Sequence, residues 1–243
     1  MKTQFPISRQ PERPGGSARS HLGHSAKTPG SPVHIPVDRV VLAGDLTIPP
    51  AAKGVVLFAH GSGSSRHSPR NQFVARAIQD SGAGTLLFDL LTSEEEAEDA
   101  VDGHLRFDIE MLARRLVAAT RWIANHAVAR HMGIGYFGAS TGGAAALVAA
   151  AELGSVVDAV VSRGGRADLA GASLARVEAP TLLIVGARDD VVLKLNEEAC
   201  EQLRCKKQLV VVPRATHLFE EPGTLDQVAS LAATWFRQYL KPR

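Results

Sequence analysis

The sequence predicts an α/β fold in which a mostly parallel central sheet carries helices on both faces. Short, continuously apolar runs such as GVVLFAHG and GTLLFDLL indicate strands that are buried on both sides. Longer segments with apolar residues at three- and four-residue steps indicate amphipathic helices between such runs. Strands that alternate with helices form parallel sheets covered on both faces. A length of 243 residues with 45% hydrophobic residues suits one such domain and a tail.

The N-terminal segment differs from the rest of the chain in composition. It is rich in Pro, Gly, Ser and Arg and has few large apolar residues, so it cannot bury enough surface to offset the entropy of ordering. We expect a disordered basic tail over residues 1–36 and a folded domain over residues 37–243; an organelle transit peptide is the alternative reading of the tail. The tail carries a net charge of +4, which leaves −2 on the domain. The basic character therefore does not indicate a nucleic-acid partner.

The domain is expected to begin with strands. Residues 37–49 predict two edge strands that turn at residues 43–45, where Ala-Gly-Asp interrupts the pattern. The apolar run over residues 54–61 predicts the first strand that is buried on both faces.

The next segments alternate between helix and strand. Ser68 and Pro69 supply an N-cap and a first-turn proline for a helix through about Gln79, and GTLLFDLL predicts the following strand. The acidic run over residues 93–102 is expected to be a solvated surface connection; a mobile gate over the site is the alternative. A long helix is predicted from about Asp108, because its apolar residues form one stripe.

The second half of the domain repeats the alternation. The run MGIGYFG predicts a strand, and TGGAAALVAAAEL predicts a helix of small residues directly behind it. Three further strands are expected at VDAVVSRGG, PTLLIVGARDD and QLVVVPRATH, with a helix over residues 194–203 between the last two. Thr224–Gln227 fits a capping box for a C-terminal helix.

Cysteine usage and hydropathy bear on the compartment. If Cys200 and Cys205 lie on one helix, their spacing turns them to different sides, which disfavours a mutual disulfide and favours a reducing compartment. No apolar run approaches the ~18–20 residues that span a bilayer, and the N-terminal segment lacks the apolar region of a secretory signal. We expect a cytoplasmic protein without a membrane span; nothing in the sequence indicates its oligomeric state.

The segment GASTG contains the residue on which the functional prediction depends. Ser140 lies in a G-x-S-x-G motif between a predicted strand and a predicted helix, which is the context of a nucleophile on a sharp turn. Gly138 and Gly142 fit because the flanking positions of such a turn must be nearly free of side chains. The alternative is a serine that caps the helix.

A serine nucleophile needs a base, and the base needs an acid that orients it. In this arrangement the three residues follow in the order Ser, Asp, His, each beyond a strand. Asp189 and Asp190 follow one strand, and His217 follows the next. His126 and His131 flank the end of a helix and are expected to be solvated or capping residues. His217 is therefore the predicted base, and either aspartate is a candidate acid.

The loop HGSGSS ends an early strand, where backbone N–H groups can stabilise a developing oxyanion. We predict the N–H groups of Ser62 and Thr141 as the two donors, since Thr141 directly follows the predicted nucleophile. His60 in the same loop is expected to make structural hydrogen bonds. A flexible turn and a phosphate-cradling loop are the alternatives, and the latter lacks the G-K-[ST] ending.

With these motifs in place, the chain resembles the α/β hydrolases of the dienelactone hydrolase-like group over about residues 37–240. The resemblance depends on HGSGSSRHSPRN, GASTGG, LLIVGARDDVV and ATHLFEEPG. It implies that Asp189, three residues after the glycine of GARDD, is the acid. Dienelactone hydrolases proper have cysteine where this chain has Ser140, so the resemblance implies a general carboxylic-ester hydrolase. Similar domains are also fused to phosphoribosyltransferases, and no second domain of that kind is visible in this sequence.

The expected activity is the hydrolysis of a small-molecule ester by Ser140, His217 and Asp189 through an acyl-enzyme. No metal and no organic cofactor is required for this chemistry. An amidase, a thioesterase or an acyltransferase would use the same triad. A protein of another class, an α/β-hydrolase domain that only binds ligands, would have no need of all three residues.

Overall fold

The computed structural model describes residues 30–243, which build an eight-stranded sheet with helices on both faces. This confirms the predicted fold class. The strands are β1 (Ser31–Val37), β2 (Val40–Thr47), β3 (Gly54–Ala59), β4 (Gly84–Phe88), β5 (Gly133–Ala139), β6 (Ala159–Arg163), β7 (Thr181–Gly186) and β8 (Lys207–Val212).

The helices cover the two faces of the sheet in separate groups. They are α1 (Pro69–Asp80), α2 (Ser93–Asp102), α3 (Ile109–Asn125), α4 (Thr141–Leu153), α5 (Asp190–Gln202) and α6 (Thr224–Tyr239), with 3₁₀ segments at Leu105–Phe107, Gly154–Val156 and Ala167–Arg176. Helices α3, α4 and α5 pack in one apolar cluster, and α1 and α6 pack in the other. Each strand from β3 to β7 is buried along its whole length, which explains its continuous apolar run.

The strand order is β1-β2-β4-β3-β5-β6-β7-β8. Strands β1 and β2 pair antiparallel, as do β2 and β4, whereas the pairs from β4 to β8 are parallel. All strands from β3 onward therefore end at the same edge of the sheet. This edge is where α/β proteins of this kind place their functional residues.

The first hairpin differs from its prediction. The turn lies at Asp38 and Arg39, and Gly44 lies inside β2, paired with Val33 of β1 and Phe88 of β4. A Cβ atom at residue 44 would lie only 3.1 Å from Phe88 and 3.2 Å from Val33. Gly44 is required by the close packing of three strands. In the sequence, a glycine within Ala-Gly-Asp has the appearance of a turn.

The predicted boundary between tail and domain at residue 36 is too late. Strand β1 begins at Ser31, and its residue Ile35 is fully buried against the sheet. A proline-containing strand is tolerated here because β1 lies at the edge of the sheet. The prediction of disorder for residues 1–29 falls outside the described residues.

Two helix starts differ from the predictions, and one segment predicted as a surface connection is a helix. The acidic run forms α2, whose capping box joins Thr92 and Glu95. Helix α5 begins at Asp190, four residues before the predicted start. Helix α6 has no capping box: the Thr224 hydroxyl donates to the Glu221 carbonyl at 2.7 Å, and a residue in the left-handed conformation, Gly223, takes the N-cap position.

Among residues 30–243, no helix combines the length and the apolar character that crossing a membrane requires.

Candidate active site

Ser140 lies between β5 and α4, with φ = 51° and ψ = −123°. Such a conformation is strained for a residue with a side chain and is found where the surrounding structure enforces it. Three backbone hydrogen bonds hold it: the Ser140 N–H donates to the Arg163 carbonyl at 3.3 Å, and the Ser140 carbonyl accepts from Gly143 and Arg166 at 3.0 Å each. The serine is thus fixed at the carboxyl edge of the sheet.

The glycines around Ser140 permit a very close approach of strand and helix. A Cβ atom at Gly142 would collide with the carbonyl oxygens of Ala59 and His60 at the end of β3. A Cβ atom at Gly138 would lie 2.5 Å from the Gly142 carbonyl oxygen. The sequence motif therefore records a steric requirement of the turn.

Asp189 and His217 lie on the loops that follow β7 and β8. The Asp189 carboxylate oxygen Oδ2 is 2.6 Å from His217 Nδ1. The two loops are joined along their backbones as well, because the Arg188 N–H donates to the Ala215 carbonyl at 2.9 Å. Asp190, in contrast, is exposed and begins α5. Of the two candidate carboxylates, the structure brings only Asp189 to the imidazole.

Gly164 connects the surroundings of Ser140 with those of His217. It directly follows Arg163, whose carbonyl accepts the Ser140 N–H, and a Cβ atom added to it would lie 3.4 Å from His217 Nδ1. Among the described residues, the hydrogen bonds include none between the Ser140 hydroxyl and the imidazole. Such bonds are often long in unliganded enzymes and shorten when the substrate binds.

Ser62 and Thr141 are also brought together. The Ser62 Oγ atom lies 3.1 Å from Thr141 Oγ1, and Thr141 is the first residue of α4. The first N–H groups of a helix have no partner within the helix, and they favour negative charge nearby. The side chains of the two residues that are predicted to supply the oxyanion donors thus meet at the start of α4.

His60 anchors the loop that carries Ser62. Its Nε2 atom accepts a hydrogen bond from the Leu90 N–H at 2.9 Å, so that its proton belongs on Nδ1, 3.0 Å from the Gly61 carbonyl. Burial lowers the pKa of His60, which keeps this imidazole neutral. The structural role expected for His60 is consistent with these contacts.

A cavity of about 600 Å³ adjoins Ser62 and Thr141. Its walls come from the loop after β3, from the residues after β4 and from α2, which contributes Glu96, Asp99 and Ala100. For this segment the sequence favoured a solvated surface connection, with a gate over the site as the alternative, and it did not indicate a helix in the cavity wall. Its capping box, Thr92 with Glu95, was the signal that could have identified the helix.

The remaining titratable candidates lie elsewhere or are already engaged. Cys200 and Cys205 are free thiols, and burial raises the pKa of both. Asp99, Asp102 and His104 are the one group among the described residues with the spacing of metal ligands. Asp99 already accepts hydrogen bonds from the backbone and side chain of Arg106, so its carboxylate oxygens are engaged and this group is a poor candidate for a metal site.

A mostly parallel sheet with a serine on a sharp strand–helix turn, followed by an aspartate and a histidine on later loops, defines an α/β hydrolase. The family model of the dienelactone hydrolases matches residues 42–240. The chain belongs to the dienelactone hydrolase family.

Two relatives are similar over most of this chain. The crystal structure of a dienelactone hydrolase from Anabaena variabilis is 58% identical, covers 88% of this chain and 99% of its own, and superposes with a TM-score of 0.86. A "Putative phosphoribosyl transferase" of Mycobacterium tuberculosis is 58% identical over 208 residues, which is 86% of this chain and 46% of that protein. The chain therefore spans about half the length of the curated relatives it matches.

More distant structures share the fold alone. Est1E from Butyrivibrio proteoclasticus superposes with a TM-score of 0.72 at 15% identity, over 86% of this chain and 98% of its own.

Proposed function

We propose that the protein is a serine hydrolase that cleaves carboxylic esters of small molecules, with Ser140 as nucleophile, His217 as general base and Asp189 as the acid. The observation that carries the proposal is the 2.6 Å contact between Asp189 Oδ2 and His217 Nδ1. Ser140 is held in a strained turn at the same edge of the sheet. A carboxylate that accepts from Nδ1 leaves Nε2 free to take a proton.

The reaction proceeds in two halves. The Ser140 oxygen attacks the ester carbonyl carbon while His217 Nε2 takes the hydroxyl proton, and the tetrahedral oxyanion is stabilised by the N–H groups of Ser62 and Thr141. The C–O bond to the alcohol breaks as His217 returns the proton to the leaving oxygen. Water then attacks the acyl-enzyme with His217 as base, and the acid leaves as Ser140 is regenerated.

Two features support a hydrolase with an accessible site. The cavity beside Ser62 and Thr141 has room for a small ester, at about 600 Å³. The transferase named among the relatives is about twice as long as this chain, so the similarity reaches only part of that protein. Ester hydrolysis needs only residues of the matched part.

The test of the proposal is covalent labelling with a fluorophosphonate, combined with turnover of p-nitrophenyl esters of rising chain length. We expect labelling of the wild type, none of Ser140→Ala, and a loss of turnover of about 10³-fold or more in the variant. Labelling that survives in Ser140→Ala would exclude this serine as the nucleophile. Faster turnover of matched thioesters or amides would show that the protein is a thioesterase or an amidase.

We also propose a cytoplasmic location, because both thiols are free in a protein with two cysteines. Fractionation of cells that produce the full chain tests this, and recovery of the protein outside the cytoplasmic fraction would contradict it.

A further inference from the structure

Asn196 is a polar side chain in the interior that joins α5 to a loop of the candidate active site. It is fully buried, and its Nδ2 atom donates two hydrogen bonds of 2.8 Å. One goes to the Val192 carbonyl in the same helix, and the other goes to the Gly165 carbonyl after β6. Its Oδ1 atom is buried and has no hydrogen-bond partner among residues 30–243. An unpaired buried acceptor lowers stability, so stability alone does not explain an asparagine here.

The loop that Asn196 holds, residues 164–166, contacts the predicted nucleophile. The Arg166 N–H donates to the Ser140 carbonyl at 3.0 Å. Gly165 lies against the first turn of α4, since a Cβ atom added to Gly143 would be 2.9 Å from the Gly165 Cα atom. The Gly143 N–H in turn donates to the Ser140 carbonyl at 3.0 Å. This loop therefore supports the strained turn of the serine.

The same loop also lies against the predicted base, and Asn196 connects it to the acid. A Cβ atom added to Gly164 would be 3.3 Å from the His217 carbonyl oxygen and 3.4 Å from Nδ1 of its imidazole. Helix α5, which carries Asn196, begins directly after Asp189, and the Asp189 carbonyl accepts the Leu193 N–H at 2.8 Å. One buried amide thus joins the helix of the acid to the loop that lies between the nucleophile and the base.

We propose that Asn196 is a positioning residue for the hydrolysis. The inference rests on the proposed function and adds a residue that acts on the triad from outside it. Its hydrogen bond to Gly165 keeps the loop over residues 164–166 in register with α5, and so keeps the serine in register with the Asp–His pair. A displacement of about 1 Å between reacting groups can lower the rate by about 100-fold. Loss of this bond should therefore lower the rate of the chemical steps.

Two variants separate the two hydrogen bonds of Asn196. Asn196→Ala removes both, whereas Asn196→Ser keeps a donor for the Val192 carbonyl, since a helical serine can bond to the carbonyl four residues earlier, and does not reach Gly165. With a p-nitrophenyl ester we expect kcat to fall about 10-fold or more in both variants. KM should change less than about threefold, because the side chain does not contact the substrate. If Asn196→Ser kept the kcat of the wild type, the bond to Gly165 would not matter and the proposal would be overturned.

Thr120→Val is the matched control. Thr120 is also buried and also joins two elements, because its hydroxyl accepts from the Tyr136 hydroxyl of β5 and donates to the Leu116 carbonyl of α3. Its loss leaves a buried hydroxyl unpaired, so Tm should fall. At a temperature well below the Tm of every variant, kcat of Thr120→Val should equal that of the wild type. A loss as large as that of Asn196→Ala would show that general loosening of the fold lowers kcat, and would overturn the proposal.

A second readout does not depend on turnover. Long-range ¹H–¹⁵N correlation spectra of the imidazoles report which ring nitrogen carries the proton, and His217→Gln assigns the signals of His217. At pH 8 we expect the proton on Nδ1 in the full-length wild type and in Thr120→Val, and a mixture of tautomers in Asn196→Ala and Asn196→Ser. An unchanged His217 spectrum in both Asn196 variants would overturn the proposal. If no ester is turned over by the wild type and the spectrum still depends on Asn196, ester hydrolysis is refuted and the positioning of the imidazole stands.

Discussion

Asp189 and Asp190 are adjacent in the chain and lie in different surroundings. The Asp189 side chain is 13% exposed and contacts the imidazole, whereas Asp190 is exposed at the start of a helix. We expect Asp189→Asn to lower kcat/KM by about 10³–10⁴, because the wrong tautomer of His217 is then favoured. Asp190→Asn serves as the matched variant and should lower kcat/KM less than about tenfold, since a peripheral charge only tunes the site. A reversed order of the two variants in side-by-side kinetics would place the acid one residue later.

We expect His60 to make the free energy of unfolding depend on pH. Burial lowers its pKa in the folded state below the ordinary value, so the unfolded chain binds the proton more readily than the folded one. The free energy of unfolding should therefore be highest above the unfolded pKa of about 6.5 and fall as the pH drops below it, by at most about 1.4 kcal/mol per pH unit. Urea unfolding between pH 5 and 8 measures this slope.

His60→Gln is the control for this slope. Its amide oxygen can accept the Leu90 N–H in place of Nε2, and it does not titrate. The variant should fold and lose part of the slope below pH 6.5. An unchanged slope would show that other groups cause it.

At the scale of elements, β3, β5 and α4 approach one another so closely that the turn between β5 and α4 should not tolerate an added side chain. Gly142→Ala would drive a Cβ atom into two backbone carbonyl oxygens of residues 59 and 60, and backbone cannot move aside cheaply. We expect a loss of more than about 3 kcal/mol in the free energy of unfolding, or no folded protein. Urea denaturation with circular dichroism measures it.

Gly171→Ala provides the contrast. Gly171 has φ = 50° and ψ = −131°, nearly the conformation of Ser140, but a Cβ atom there meets nothing within 4 Å. Its substitution should cost only backbone strain, about 1–3 kcal/mol. If Gly171→Ala proved the more damaging of the two, packing would not be the reason for the glycine at residue 142.

For the whole molecule, the first strand decides where the chain can be shortened. Removal of residues 1–29 should leave Tm and kcat unchanged, because their sequence has no apolar pattern that could pack on a domain. Removal of residues 1–36 also deletes most of β1 and the fully buried Ile35, and uncovers the edge of β2. We expect it to lower Tm by at least about 5 °C. If the two shortened proteins had equal Tm values, β1 would contribute little to the stability of the domain.

Most of the sheet could be predicted from the sequence, and so could the positions of the candidate site residues on the turn and loops at its carboxyl edge. Strands β3 to β7 are buried on both faces, so each stands out as a short, continuous apolar run. The turn at Ser140 could be predicted because a sharp turn demands small neighbours at fixed spacing. These are local properties: each depends on residues within a few positions of one another.

The tertiary structure decided what depends on distant residues. Gly44 lies within a strand because Val33 and Phe88 press on it from both sides, and α2 becomes a cavity wall because the residues after β3 and β4 face it. Asp189 and Asp190 have the same chemistry, and only the joining of two loops separates them. The sequence by itself determined the strands and the turn of the serine, because local sterics and periodicity act along the chain. The pairing of side chains, their burial and the balance of their charges were decided only in the folded structure, because these depend on residues that are distant in the chain and close in space.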